Sequence, residues 1–358
     1  MTIDTKDFGK AFSIWENLKE EKKQSEEKGL GASTQKSVLL VDGYNTFIRC
    51  FAAIPTLNED GLHTGGMSGF LKSVGYAIKL LKPDRCVIIF DGPGGSMKRR
   101  KIYSDYKAHK RTKIRLNRIY DENTSLGSEE VSLKKQLQRL VIYMDYLPVN
   151  LISLDNVEAD DTIASCALDY FKDWKIFIMS SDKDFLQLVD ERINVWSPTK
   201  KKLYGMTDVT GEYGINPKNF IFYRALDGDT SDNIPGIRGC GLKTVLKAFP
   251  FLAENEVSSL DRIHQHAEEN KTKLKVYENI LLNWGDVQRN YELMQLTDTQ
   301  LQTFAQLHVK EVLDNKIPKL NQYELAKLIS EDKLWSTIPN YQTWIGECFN
   351  KLNMFVKE

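Results

Sequence analysis

Four short apolar runs, at residues 37–41, 86–90, 151–154 and 176–179, constrain this chain more than any other feature. Each has the length of a short buried strand, and helical patterns at residues 69–81, 133–146 and 160–171 lie between them. Continuous apolar strands separated by helices predict an α/β fold with a central, mostly parallel sheet flanked by helices. Folds of this kind bind ligands beyond the carboxyl ends of their strands. Three of the runs end on or just before an aspartate, namely Asp42, Asp91, and Asp182 after two serines. Acid is therefore expected where the site should be.

The chain divides by pattern into a leader (1–36), an α/β core (37–205) with a basic region at 94–135, and a helical region (206–358). In the leader, Phe8, Phe12, Trp15 and Leu18 fall on one helical face. A partly helical leader is the expectation, with a docking peptide for a partner as the alternative. The five cysteines form no Cys-x-x-Cys pair and have only five histidines for company, which excludes a disulfide framework or zinc site and favours a reducing compartment. No apolar run reaches membrane-spanning length and no signal peptide opens the chain, so a soluble, cytoplasmic, monomeric protein without a membrane partner is expected.

The acids that matter are Asp42, Asp91, Glu158, Asp160, Asp161, Asp182, Asp184, Asp229 and Asp232, from five segments directed to one sheet edge. Any one of them alone reads as a helix cap or turn residue. Asp161 is the weakest member, because its helix can carry it away from the rest. Together they cannot share a pocket without cations, since like charges at close range raise each other's pKa. All-oxygen ligands favour Mg²⁺, or Mn²⁺, over zinc. Two such ions, about 3.5–4 Å apart, activate water and stabilise the leaving oxygen of a phosphodiester.

The net charge is zero, with 49 basic and 49 acidic residues, yet the charges are sorted along the chain. Residues 97–118 carry Lys98, Arg99, Arg100, Lys101, Lys107, Lys110, Arg111, Lys113, Arg115 and Arg118 against the single acid Asp105. Tyr103 and Tyr106 are interleaved with them. Cations neutralise phosphates and aromatic rings stack on unpaired bases, which suits single-stranded nucleic acid. On a continuous helix Arg99, Tyr103, Tyr106 and Lys110 would share a face. Further on, Gly236, Gly239, Gly241, Lys243 and Thr244 form a glycine-rich turn entering a helix. Such a hairpin, near 233–249, brings backbone N–H groups to a duplex phosphate and reads no sequence.

These residues resemble the 5′ nuclease or flap endonuclease superfamily, which includes the 5′ nuclease domain of DNA polymerase I, phage 5′ exonucleases and the T-even phage ribonuclease H. The resemblance runs through Leu40-Val-Asp-Gly43, His63-Thr-Gly-Gly-Met67, Ile89-Phe-Asp-Gly92, Tyr106-Lys107, Val157-Glu-Ala-Asp-Asp161, Ser181-Asp-Lys-Asp-Phe185 and Gly228-Asp-Thr-Ser-Asp-Asn-Ile-Pro-Gly236. The stretch at 180–188 looks closest to the T-even enzyme, whereas the hairpin looks more like the bacterial domain. The resemblance implies a PIN-like fold with a helical arch and a helix-hairpin-helix motif. It implies that Asp42, Asp91, Glu158 and Asp160 hold a first metal, and that Asp182, Asp184, Asp229 and Asp232 hold or surround a second. Asp160 would be catalytic through these ions, Lys107 would stabilise the scissile phosphate, and Tyr106 would stack near a displaced base. Arg99 and Lys110, with Arg111, would line the arch over the DNA. The hairpin would hold the duplex backbone, around a K⁺ ion in the fullest form of the resemblance. The family often has arginine where Lys110 stands, which keeps the charge but not the fork.

The expected activity is that of a stand-alone 5′→3′ exonuclease and flap endonuclease. It would act on DNA with a 5′ arm or on RNA–DNA hybrid and remove primers and flaps in phage replication. A sliding clamp or single-strand-binding protein is the expected partner class, although the clamp-like tail at residues 351–355 reads better as an ordinary helix end. Two alternatives stay open: a non-catalytic binder of branched DNA, and a PIN-type ribonuclease.

Overall fold

The computed structural model describes residues 35–108, 116–120, 126–299 and 301–353, with the side chains of Leu126 and Gly127 excepted. The leader's apolar stripe, Lys110, Arg111 and residues 354–358 lie outside that set. A six-stranded sheet forms the centre: β1 (Ser37–Asp42), β2 (Arg85–Asp91), β3 (Asn150–Leu154), β4 (Lys175–Met179), β5 (Ile193–Ser197) and β6 (Lys202–Tyr204). Their spatial order is β3-β2-β1-β4-β5-β6, with β6 antiparallel to β5 and all other pairs parallel. The four apolar runs are β1 to β4, each within a residue or two of its expected bounds. The last two strands escape the apolar-run criterion: β5 carries Asn194 in its middle, and β6 is three residues long.

Side chains alternate across the sheet, so parity fixes which face each residue meets. Leu39, Val41, Cys86, Ile88, Phe177 and Met179 enter one core. Helices α1 (Gly43–Ala53), α2 (Gly65–Leu81) and α4 (Leu126–Met144) cover that face. Val38, Leu40, Val87, Ile89, Ile176 and Ile178 enter the other core, under α5 (Ala159–Ser165). Beyond the sheet, α6 (Met206–Tyr213), α7 (Phe220–Asp227), α8 (Leu242–Ala248), α9 (Leu260–Asn270), α10 (Lys275–Leu282), α11 (Trp284–Met294) and α12 (Thr303–Asp314) extend this second core. Asp42 and Asp91 continue the parity of Leu40 and Ile89, so both carboxylates emerge on the face that carries α5.

The last helices, α13 (Gln322–Glu331) and α14 (Tyr341–Asn353), return to the first face. There α14 packs on α2 at Gly75, where an added Cβ would lie 2.9 Å from the Trp344 ring. The helical residues after 205 therefore serve two cores on opposite sides of the sheet.

Two expectations about helices are corrected. The helix expected over 160–171 is α5 followed by a π-helical turn at Cys166–Tyr170. The basic segment is not one continuous helix: α3 (Met97–Ile102) is six residues long and stops at Tyr103, which is in extended conformation. Residues 103–108 then turn, with the Tyr106 and Ala108 amides donating to the Tyr103 and Asp105 carbonyls. No helix among the described residues is long and apolar enough to cross a membrane.

Candidate active site

Strand order reverses between β1 and β4, which opens a crevice beyond their carboxyl ends. Asp42 ends β1 on one side of it. The Asp42 carboxylate caps α1 by accepting from the Asn45 amide at 3.2 Å, and it accepts the Ser180 hydroxyl at 2.8 Å. Its role as a helix cap is thus real, but burial, with Asp91 and Asp182 adding to it, pushes its pKa up to about 7. On β2, Asp91 accepts the amide of Ala159 at 2.8 Å, so a strand-end acid caps the start of α5, where the helix dipole favours negative charge.

After β4, Asp182 accepts the Asp184 amide at 2.8 Å, and a 3₁₀ turn (Asp184–Leu188) follows. Carboxylate oxygens of Asp182, Asp184 and Asp229 all lie within 4.8 Å of one another. Burial and the neighbouring Asp182 raise Asp184 to about 8, and burial raises Asp182 as well. Burial works the same way on Asp229, but the Ser231 hydroxyl at 2.5 Å and the Arg224 guanidinium hold it below the ordinary carboxylate value. An all-oxygen, anionic donor set of this kind fits a hard divalent cation.

The second half of the site is built around cations. Arg99 is 5 % exposed. Its guanidinium reaches Glu158 at 2.6 Å, Asp160 at 3.1 Å and both oxygens of Asp161 at 3.0 and 3.1 Å, while Nε donates to the Leu293 carbonyl at 2.7 Å. Lys107 Nζ lies 3.1 Å from Glu158 and 3.9 Å from Asp232. Burial opposes the Lys107 charge, but Glu158 and Asp232 outweigh it and hold its pKa above the ordinary lysine value. Tyr106 donates its one hydroxyl proton to Glu158 at 2.9 Å, with an Asp232 oxygen 3.2 Å from the same hydroxyl.

The turn that carries Lys107 is tied down by the loop that carries Asp232. Lys107 N donates to the Asp232 carbonyl at 2.9 Å and Asn233 Nδ2 to the Asp105 carbonyl at 2.8 Å. Both Lys107 and Asn233 sit in the left-handed region, with φ of 51° and 59°. Asparagine tolerates that conformation, whereas lysine does so rarely, so the site holds Lys107 in a strained pose.

The structure places four of the expected site residues as follows. Arg99, expected to line an arch, is buried and engaged by three acids and a carbonyl. Tyr106, expected to stack near a base, is 2 % exposed, and Lys107 Nζ lies 5.0 Å from its ring centre. Asp161 gives both oxygens to Arg99 and stands apart from the ligand-ready triad. At Gly236, a Cβ would lie 2.0 Å from the Asp227 carbonyl, so close backbone packing across the bridge between Asp229 and Ile234 already requires this glycine. Gly239, at φ 90°, and Gly241, at the start of α8, border open space, and Lys243 is exposed with Thr244 half-buried beside it.

Two contributors went unread in the sequence. Ser180 bridges Asp42 to the Asp182 loop, donating its hydroxyl to one and accepting the amide of the other. Arg224 bridges Asp184 and Asp229. Its signal was available, as the one charged residue in the apolar stretch 220–226. A cavity of about 540 Å³ lined by Leu57, Leu62, Met67, Tyr120, Val131 and Arg139 contains none of the carboxylates.

Comparison with known proteins gives consistent results. Residues 37–214 match the family model for the 5′-3′ exonuclease N-terminal resolvase-like domain, and residues 215–315 the model for the 5′-3′ exonuclease C-terminal SAM fold. The 5′-3′ exonuclease of Aquifex aeolicus (strain VF5) is 30% identical over 318 residues, covering 84% of this chain and 96% of that protein. Thermostable DNA polymerase I of Thermus aquaticus is 30% identical over 270 residues, covering 74% of this chain but 29% of the polymerase. Among solved structures, the T5 D15 protein co-crystallised with metal ions aligns with a TM-score of 0.60 at 18% identity, over 78% of this chain and 99% of that one.

Proposed function

Because the chain belongs to the 5′-3′ exonuclease family, we propose that it is a divalent-metal-dependent 5′ nuclease that cleaves duplexes bearing a 5′ end or 5′ single-stranded flap. The observation that carries this reading is the convergence of Asp182, Asp184 and Asp229 at the sheet's switch point. Asp182, Asp184 and Asp229, with Asp232 beside them, would hold one ion; Asp42, Asp91, Glu158 and Asp160 are the donors for a second. When bound, Mg²⁺ or Mn²⁺ supplies positive charge that polarises a phosphodiester and acidifies water.

The remaining work falls to the chain itself. Lys107 presents an ammonium group, pinned by Glu158 and by its own backbone bond to Asp232, at the mouth of the acid cluster. A pre-placed cation stabilises charge developing on the scissile phosphate without reorganising during the reaction. Gly239, Gly241, Lys243 and Thr244 would hold the duplex backbone and so set the distance from duplex to cut. Lys110 and Arg111 would guide the single-stranded arm by charge. Arg99 acts one step back, by fixing Glu158 and Asp160. Primer and flap removal is the cellular role we infer from the bacterial exonuclease and polymerase relatives; a phage origin is not needed for it.

The test is a 5′-flapped duplex labelled at the flap's 5′ end, incubated with Mg²⁺ and with EDTA. Metal-dependent release of a flap-length fragment is expected, together with shorter products on blunt 5′ ends. Tight binding without cleavage would refute the nuclease reading and leave a binder of branched DNA. The Lys107→Ala variant should lose about a hundredfold in single-turnover rate, as for other pre-organised charge donors, with Kd for the flap changed less than about threefold. If Kd alone changes, Lys107 is a phosphate contact and no more.

A further inference from the structure

We propose that Arg224 is the built-in counter-cation of the Asp182–Asp184–Asp229 triad, a positioning residue that pre-forms the triad and limits how tightly a divalent ion binds there. The proposal rests on the reading of that triad as a metal site. Arg224 is 4 % exposed and stands on α7 among Phe220, Ile221, Phe222, Tyr223 and Leu226, all buried apolar or aromatic side chains. Placing a guanidinium there is costly unless its N–H groups are all paired. Each of its three nitrogens has a partner: Nε donates to Asp184 at 2.6 Å, Nη2 to Asp229 at 2.5 Å, and Nη1 to the Gly228 carbonyl at 3.0 Å.

The guanidinium thus spans two different carboxylates with one rigid fork, which a lysine cannot reproduce. Among the described residues no arginine pairs with Asp182, the third member, which accepts the Asp184 amide. With all three carboxylates ionised, as an arriving cation would require, the guanidinium leaves two net negative charges, the complement of one divalent ion. Arg224 would hold Asp184 and Asp229 together against their mutual repulsion before an ion arrives. The same positive charge then repels the incoming ion, so the site is kept ready at some loss of affinity. An ordinary structural ion pair would share the distances but not the coupling to metal.

The coupling can be measured on the full chain with Mn²⁺ as probe. Thermal unfolding is followed in EDTA and in saturating Mn²⁺ for the wild type, Arg224→Gln and Arg224→Lys, and Mn²⁺ affinity is taken from calorimetric titration. Arg224→Gln should melt several degrees lower than the wild type in EDTA and recover most of that loss in Mn²⁺. Its Mn²⁺ dissociation constant should fall about tenfold, because a neighbouring positive charge has been removed. Arg224→Lys, which keeps the charge and loses the fork, should be partly destabilised in EDTA but bind Mn²⁺ within about threefold of wild type. If Arg224→Gln folds only with Mn²⁺, the proposal stands. If neither variant is rescued by Mn²⁺, or if Arg224→Gln keeps the wild-type affinity and metal-induced shift, Arg224 is a plain ion-pair residue and the proposal fails. A wild type that shows no Mn²⁺-dependent shift would instead overturn the metal site beneath it.

Discussion

Replacing Asp182 by asparagine is expected to lower single-turnover cleavage of a 5′ flap about a thousandfold, since the charge held at such a site contributes several kcal/mol to the transition state and each ~1.4 kcal/mol is a factor of ten. Asparagine keeps the shape of Asp182 and an oxygen to accept the Asp184 amide, now 2.8 Å away, so the loop need not move. What it removes is one of the three charges whose oxygens converge within 4.8 Å. Asp182 is also the triad member that no arginine pairs with among the described residues: Arg224 takes Asp184 and Asp229. Neutralising it therefore orphans no cation. Burial already raises its pKa, so the charge is one the fold resists. The variant should consequently be as stable as the wild type or more so, and its inactivity would not be a folding defect. Kd for the flapped duplex, measured in Ca²⁺, should stay within about threefold, because phosphate contacts elsewhere supply affinity. Full-rate cleavage by this variant would remove the triad from the mechanism.

The parts of this site that could be read from sequence are those governed by a period. Asp42 and Asp91 were legible because strands alternate with period two and end at the ligand-binding edge; each sits one step past a buried apolar neighbour of the same parity. The burial of Arg99 and Tyr106 is not legible, because a basic run gives no sign of where its helix stops. With α3 ending at Ile102, Arg99 turns inward onto Glu158, Asp160 and Asp161, and Tyr106 follows onto Glu158 and Asp232. Adjacent acids at the start of a helix could not be told apart either: Asp160 stays partly exposed, while Asp161 turns to Arg99. The return of α13 and α14 to the far side of the sheet left no trace in the pattern, since an amphipathic stripe says that a face is buried and not against what. Arg224 was the recoverable miss, because a lone charge inside an apolar helix needs a buried partner of opposite sign.

In EDTA, the protein should be more stable at pH 5 than at pH 8, the reverse of what salt-bridged surface carboxylates produce. Burial is the first cause for each acid concerned. It lifts Asp42 from 3.8 to about 7, Asp161 to about 7, Asp184 to about 8 and Asp232 to about 6. A carboxyl whose folded pKa lies above its unfolded value binds more protons folded than unfolded between those two values. Stability then falls as pH rises through that window, from about 4 to about 8. One unit corresponds to about 1.4 kcal/mol, so the fully buried Asp42 alone implies a change on the order of several kcal/mol. The acids share neighbours, so their contributions do not add. Other groups work in the opposite sense. Glu212, held near 2 by Lys200, Tyr204 and Lys202 although burial opposes it, supports the fold above 4.5 and loses that support only as pH falls toward 2. His63, lowered from 6.5 by burial, costs stability below that value. At pH 5 the Glu212 contribution is intact and the single histidine is outweighed by four acids. Denaturation midpoints in urea with EDTA should therefore be higher at pH 5.0 than at pH 8.0. Mn²⁺ should raise the pH 8.0 midpoint and shrink the gap, because an ion neutralises the same carboxylates that protons neutralise in acid. A midpoint in EDTA that is highest at pH 8.0 would mean that Arg99, Arg224 and Lys107 already balance the cluster, and the acids would then have no need of a metal to stay ionised together.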